Sequence, residues 1–107
     1  MAFRVELTPR AVTDLDSIYA WVVKNAPYRG PLWFERLEQT ILSLKDLPDR
    51  CPIEPSLSSS RRVVRKLLFG RKEHVYRIYF TITDEIVRVL HVRHGARKEI
   101  KRITIIK

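Results

Sequence analysis

Proline constrains the first half of this chain more than any other residue, because it fixes φ and has no N–H to give to a helix or a sheet. Thr8-Pro9 reads as a helix start, with Thr8 as the cap and Pro9 at the first helical position, where the missing N–H costs nothing. Ala11, Leu15, Ile18, Val22 and Ala26 follow at helical spacing, and Tyr19 and Val23 widen the stripe. Pro27 ends that helix. Tyr28-Arg29-Gly30 makes a short turn, and Pro31 opens a second helix with Phe34, Leu37, Ile41 and Leu44 on one face, joined by Trp33. Leu47-Pro48 closes it. Two adjacent amphipathic helices joined by so short a turn form an αα-hairpin. Ahead of them, Phe3, Val5 and Leu7 alternate with Arg4 and Glu6, the period of a half-buried strand.

Residues 48–62 change character: Pro48, Pro52 and Pro55 precede Ser56 and then Ser58-Ser59-Ser60. Too little chain lies on either side for two cores, so this is a loop within one domain over residues 1–107, long enough to be expected to move or to bind something. From Val63 the pattern is β. Strands are expected over Val63–Phe69, His74–Ile82 and Ile86–His94, separated by turns at Gly70-Arg71-Lys72-Glu73 and Thr83-Asp84-Glu85 and ended by Gly95. The isoleucine-rich tail Lys98–Lys107 is expected to add an edge strand or to wait for a partner to cover it. The fold class is α+β: an N-terminal strand, the helical hairpin, then a mainly antiparallel three-stranded C-terminal sheet.

Charge is divided between the halves. Residues 1–60 hold 7 Lys+Arg against 8 Asp+Glu, a net of −1, whereas residues 61–107 hold 14 against 4, a net of +10. Such asymmetry points to nucleic acid, an anionic surface or an acidic protein partner. No apolar run approaches the roughly 20 residues of a membrane helix, and the first residues lack the apolar core of a secretory signal. Cys51 is the lone cysteine, so no internal disulfide forms, which fits a reducing, cytoplasmic setting. It reads as an incidental thiol. No metal or phosphate-loop motif is present, and no cofactor is expected.

The candidate site follows from strand register. With a three-residue loop at Thr83-Asp84-Glu85, Ile82 pairs with Ile86, Ile78 faces Leu90, and Arg77 faces His91 on the side away from the core; a two-residue loop would shift the pairing by one and separate Arg77 from His91, and the matching of apolar faces favours the first register. Arginine holds a phosphate through paired donors, and histidine moves a proton near neutral pH. Arg97, just past Gly95, and Lys66, on the neighbouring strand, are expected to reach the same face. Such a set can cleave RNA through its 2′-hydroxyl with no metal. Arg65, Arg93, His94 and Lys98 are expected to add RNA contacts around it, and His74 to serve a turn.

These stretches resemble a known family. The order of elements, together with Val64-Arg65-Lys66-Leu67-Leu68, Val75-Tyr76-Arg77-Ile78-Tyr79-Phe80, Val89-Leu90-His91-Val92-Arg93-His94-Gly95-Ala96-Arg97 and the opening Val5-Glu6-Leu7-Thr8-Pro9-Arg10-Ala11 with Asp14-Leu15, resembles the RelE/ParE toxin superfamily over residues 3–98. The resemblance implies a growth-inhibiting, plasmid-stabilisation-like toxin neutralised by a cognate antitoxin. One branch cleaves mRNA on the ribosome; the other poisons DNA gyrase. In the first, Arg77 matches the arginine that contacts the scissile phosphate, Arg97 matches a second catalytic arginine, and Lys66 lies near the catalytic lysines. The chain departs from that pattern where a catalytic tyrosine would fall, near Ile103, and His91 or His94 is left as the proton carrier. The long helical hairpin looks like the gyrase branch. A non-toxic, partner-binding relative is the third alternative. In each case an acidic or amphipathic antitoxin segment is expected to cover the basic sheet face.

Overall fold

The computed structural model describes residues 2–71 and 74–95. In chain order its elements are strand β1 (Arg4–Leu7), helix α1 (Pro9–Asn25), helix α2 (Gly30–Leu42) and strands β2 (Arg65–Phe69), β3 (Tyr76–Thr83) and β4 (Ile86–His94). Short 3-10 turns lie at Ser43–Lys45, Pro48–Arg50 and Pro55–Leu57. The strands form one sheet in the order β1-β4-β3-β2. The N-terminal strand therefore joins the C-terminal three, lying parallel to β4, while the other pairings are antiparallel.

Thr8 makes the turn from strand to helix. Its hydroxyl accepts from the Ala11 N–H at 3.1 Å, as the proline-containing start demands, and donates to the Leu90 carbonyl at 3.1 Å. Its own N–H donates to the Val89 carbonyl at 3.0 Å. A single residue thus caps α1 and fastens it to β4. The helices fold back on each other because Gly30 opens α2 against Val22: a Cβ there would stand 2.3 Å from Val22 Cγ1 and 2.8 Å from its carbonyl oxygen.

The helices cover one face of the sheet. Ala11 and Leu15 of α1 and Phe34, Leu37 and Ile41 of α2 close over Tyr76, Ile78, Phe80, Val87, Val89 and Val92. The face expected from the period of two on β3 is the one that is buried. On the opposite face Leu57 and Val64 fold over Tyr79 and Leu90 in a second, smaller cluster. The serine-rich loop is packed rather than loose. Ser58 Oγ accepts from the Val64 N–H at 2.9 Å and donates toward the Glu54 carbonyl at 2.8 Å, and Ile53 bridges to Arg65 along the outer edge of β2. The tail Lys98–Lys107 lies outside the described residues.

The β3–β4 hairpin departs from its expected register twice. The loop is Asp84-Glu85, two residues long, so Thr83 pairs with Ile86. Asp84 takes φ 55°, a left-handed conformation that Asp tolerates better than most side chains. A bulge then inserts an extra residue beyond Phe80–Val89, so that Tyr79 meets His91 and Arg77 meets Arg93. The bulge also reverses the alternation of β4: Val89 lies with the helix-covered core, Leu90 with the opposite cluster, and Val92 with the core again.

Candidate functional site

The expected pairing of Arg77 with His91 does not form. His91 is only 1% exposed and its Nδ1 meets the Asp14 carboxylate of α1. The reason lies at the sheet edge. Strand β1 ends at Leu7, paired with Val89, and among the described residues no strand pairs with the remainder of that edge of β4. The side chains of Thr8 and Asp14 finish it, with Asp14 Oδ2 accepting from the Val92 N–H at 3.0 Å and Thr8 donating to the Leu90 carbonyl. The bulge turns His91 toward this edge. Asp14 Oδ1 also accepts from Arg10 Nε at 3.2 Å. Burial alone would raise the Asp14 pKa, but the hydrogen bonds from His91 and the Val92 N–H, the charge of His91 and the Arg10 hydrogen bond hold it below its usual range. A carboxylate only accepts, so the shared proton sits on His91 Nδ1. Its Nε2 is buried with no hydrogen-bond partner among the described residues.

Lys66 is held too. Its Nζ pairs with Glu54 at 3.0 Å, and the Glu54 pKa is lowered by the Ser56 hydroxyl first and by Lys66 after it, against the opposing effect of burial. Arg65 turns its guanidinium onto the carbonyls of Cys51, at 2.7 Å, and Asp49, at 3.2 Å, clamping the loop to β2. Cys51 is buried, and that burial raises its pKa against the nearby charges of Arg50 and Arg65, so the thiol is kept protonated. His94 stacks edge-on against Tyr76, with ring centres 4.8 Å apart, and near His74 at 6.5 Å. Arg97 and Lys98 lie outside the described residues.

Arg77 remains on the face away from the helices, directly opposite Arg93 on β4 and Leu68 on β2. Toward the hairpin end, Arg61, Arg62 and Arg88 surround a groove of about 650 Å³ with Thr81, Thr83 and Leu90. Glu6 is shared by Arg88, at 3.4 Å, and Arg4, at 3.0 Å. Among the described residues no carboxylate lies within ion-pair distance of Arg61, Arg62, Arg77 or Arg93. Strand register predicted Arg77 on this face and Arg93 was expected among the contacts around it; Arg61 and Arg62 were hidden in a loop, visible only as the start of the basic half. This surface can hold phosphates, but the histidine expected to move a proton across it is buried against Asp14.

Two further grooves flank α1. One, of about 470 Å³, runs between α1 and the end of β4 and includes Arg10, Asp14, Trp21, His91, Arg93 and His94. The other, of about 540 Å³, lies between the helices and β1, with Val12, Tyr19 and Phe34 on its floor and Asp16, Glu35 and Glu38 at its rim. Among the described residues no group of three or more His, Cys, Asp or Glu side chains is arranged to hold a metal ion.

The model of the family described as the ParE toxin of the type II toxin–antitoxin system, parDE, matches residues 5–99. Solved structures share the fold. The chromosomal ParDE toxin–antitoxin system from P. aeruginosa aligns with a TM-score of 0.70 at 19% identity, over 87% of this chain and 96% of that one. A double arginine-to-alanine mutant of the E. coli toxin RelE in the free state aligns at 0.57 and 18% identity, over 89% and 85%. The RelBE2 toxin–antitoxin complex from Mycobacterium tuberculosis aligns at 0.57 and 22% identity, over 91% and 95%. No curated protein matches the chain.

Proposed function

The chain belongs to the ParE toxin family of type II toxin–antitoxin systems, and from that premise we propose that it arrests growth by binding DNA gyrase, with no catalytic step of its own, and is silenced by a cognate antitoxin. The observation that carries the proposal is the burial of His91 against Asp14. General acid–base catalysis needs a proton carrier within hydrogen-bond reach of the substrate. A side chain that is 1% exposed, with its Nδ1 held against the Asp14 carboxylate, does not meet that need. Lys66 is likewise engaged, neutralised by Glu54. A binding toxin requires neither.

One observation favours a second reading, a metal-independent mRNA endonuclease. Arg77 and Arg93 stand side by side without carboxylate partners among the described residues, as a pair gripping a scissile phosphate would. Induced expression without antitoxin separates the two. The gyrase reading expects growth arrest with chromosomal breaks held on gyrase and intact mRNA. Arrest with intact DNA and transcripts cut within codons would replace it with the second reading.

A further inference from the structure

The face of the sheet away from the helices has a property that gyrase binding alone does not use. Arg77 and Arg93 are direct cross-strand neighbours. Like charges in that relation repel, and nothing anionic stands between them among the described residues. Arg61, Arg62 and Arg88 continue the positive charge around the groove beside Thr81 and Thr83. Among the described residues only Glu6 pairs with any of these arginines, at Arg88, and Glu6 is already shared with Arg4. Arg77 and Thr81 are four residues apart on β3, which at about 3.3 Å per residue separates the two ends of this surface by roughly 13 Å. That is too long for a single phosphate and suits successive phosphates of a polyanion.

The aromatic residues decide which polyanion. Proteins that take single strands offer exposed rings for unpaired bases to stack on. The one aromatic residue of β3 on this face, Tyr79, is 4% exposed, sealed under Leu57 and Val64. The exposed rings of Tyr19 and Tyr28 belong to the helical hairpin; Trp21 lines the groove beside α1 that Arg93 also borders, and among the described residues no aromatic residue lines the groove of Arg61, Arg62 and Arg88. A groove bordered by arginines with no aromatic residue in its described lining suits the backbone of a duplex, not its bases.

We propose that this face, through Arg61, Arg62, Arg77 and Arg93, binds duplex DNA by its phosphates without regard to sequence. The inference rests on the gyrase reading, because gyrase presents any bound inhibitor with duplex DNA. The toxin then holds enzyme and DNA together, one through another surface and one through this face.

The test is fluorescence anisotropy of the full chain on a labelled duplex of mixed sequence, with gyrase absent. Binding is expected to be indifferent to sequence and to fall about 10²-fold between about 50 and 200 mM salt, as four phosphate contacts require. R61A/R62A and R77A/R93A are each expected to weaken binding at low salt and to lower the salt slope by about two. The Arg→Gln versions of the same pairs are measured alongside, so that a variant which fails to fold does not decide the result. Three results each overturn the proposal: no binding at low salt, unchanged binding by folded variants of both pairs, or tighter binding to single-stranded RNA or to an acidic peptide of equal charge. Loss of DNA binding with gyrase poisoning retained removes this inference and leaves the proposed function. DNA binding with gyrase untouched does the reverse.

Discussion

Asp14 on α1 and His91 on β4, 77 residues apart in the chain, meet at the edge of the sheet, where the Asp14 carboxylate takes the His91 Nδ1 proton's hydrogen bond and the Val92 N–H together. One carboxylate does the work that another strand would otherwise do. It completes the ladder where β1 stops, and it keeps a histidine inside. Removing it should therefore hurt folding more than toxicity. Asp14→Ala leaves two buried donors without partners, and each costs about 1–3 kcal/mol. We expect a urea-unfolding loss of about 2–4 kcal/mol. Asp14→Asn, which keeps an acceptor oxygen, should lose clearly less. Equal losses for the two variants would show that the carboxylate is not completing the ladder.

Acid should find the same contact. The Asp14 pKa is depressed from its ordinary 3.8, and that of Glu54 from its ordinary 4.5. A depressed carboxylate contributes stability that is fully present above its unfolded value and is lost as pH falls through its lower folded value. Unfolding midpoints should therefore hold from neutral pH down to the mid-4 range and drop below it. In Asp14→Asn the drop should be shallower. A midpoint that falls already between pH 7 and pH 5 in the parent protein would contradict the assignment.

Gly30 sets how closely α2 approaches α1. A Cβ would collide with Val22 Cγ1 and with the Val22 carbonyl. Gly30→Ala should cost about 1–3 kcal/mol, despite alanine's better helix propensity. Adding Val22→Ala removes the side-chain clash but not the carbonyl one, so the pair should recover part of the loss beyond additivity. Thermal or urea unfolding of the three variants measures it.

Lys66 separates a structural role from a catalytic one. Its partner Glu54 lies in the loop that the serines hold against β2. A pair of this kind, partly exposed, is worth about 0–1 kcal/mol. Lys66→Ala should cost no more than that and should leave growth arrest on induction intact. Loss of arrest by a folded Lys66→Ala protein would return this residue to the active surface.

Local chemistry made most of the fold legible. Thr8-Pro9, Pro27 and Pro31 mark helix boundaries through groups that cannot be misread: a capping hydroxyl and rings that cannot donate. The buried face of β3 followed from alternation. The site was less legible, because register is a sum of small choices. Asp84 is one of the few residue types that accept a positive φ, and that cue favoured the shorter loop. The bulge had no local signal. It answers a tertiary demand, the meeting of β4 with Thr8 and Asp14 where β1 ends. A loop one residue shorter and a bulge of one residue moved His91 from beside Arg77 to the helix edge and put Arg93 in its stead. The order of the serine-rich loop was hidden for the same reason, since Ser58 bonds across six residues to Val64.

The most direct test of a toxin that binds rather than cuts is a titration of purified gyrase supercoiling with the purified protein, antitoxin absent. Our account predicts that supercoiling falls in proportion to added toxin, is gone near stoichiometric amounts, and leaves cleaved DNA trapped on the enzyme. Supercoiling that continues unchanged at large excess of folded protein would contradict it.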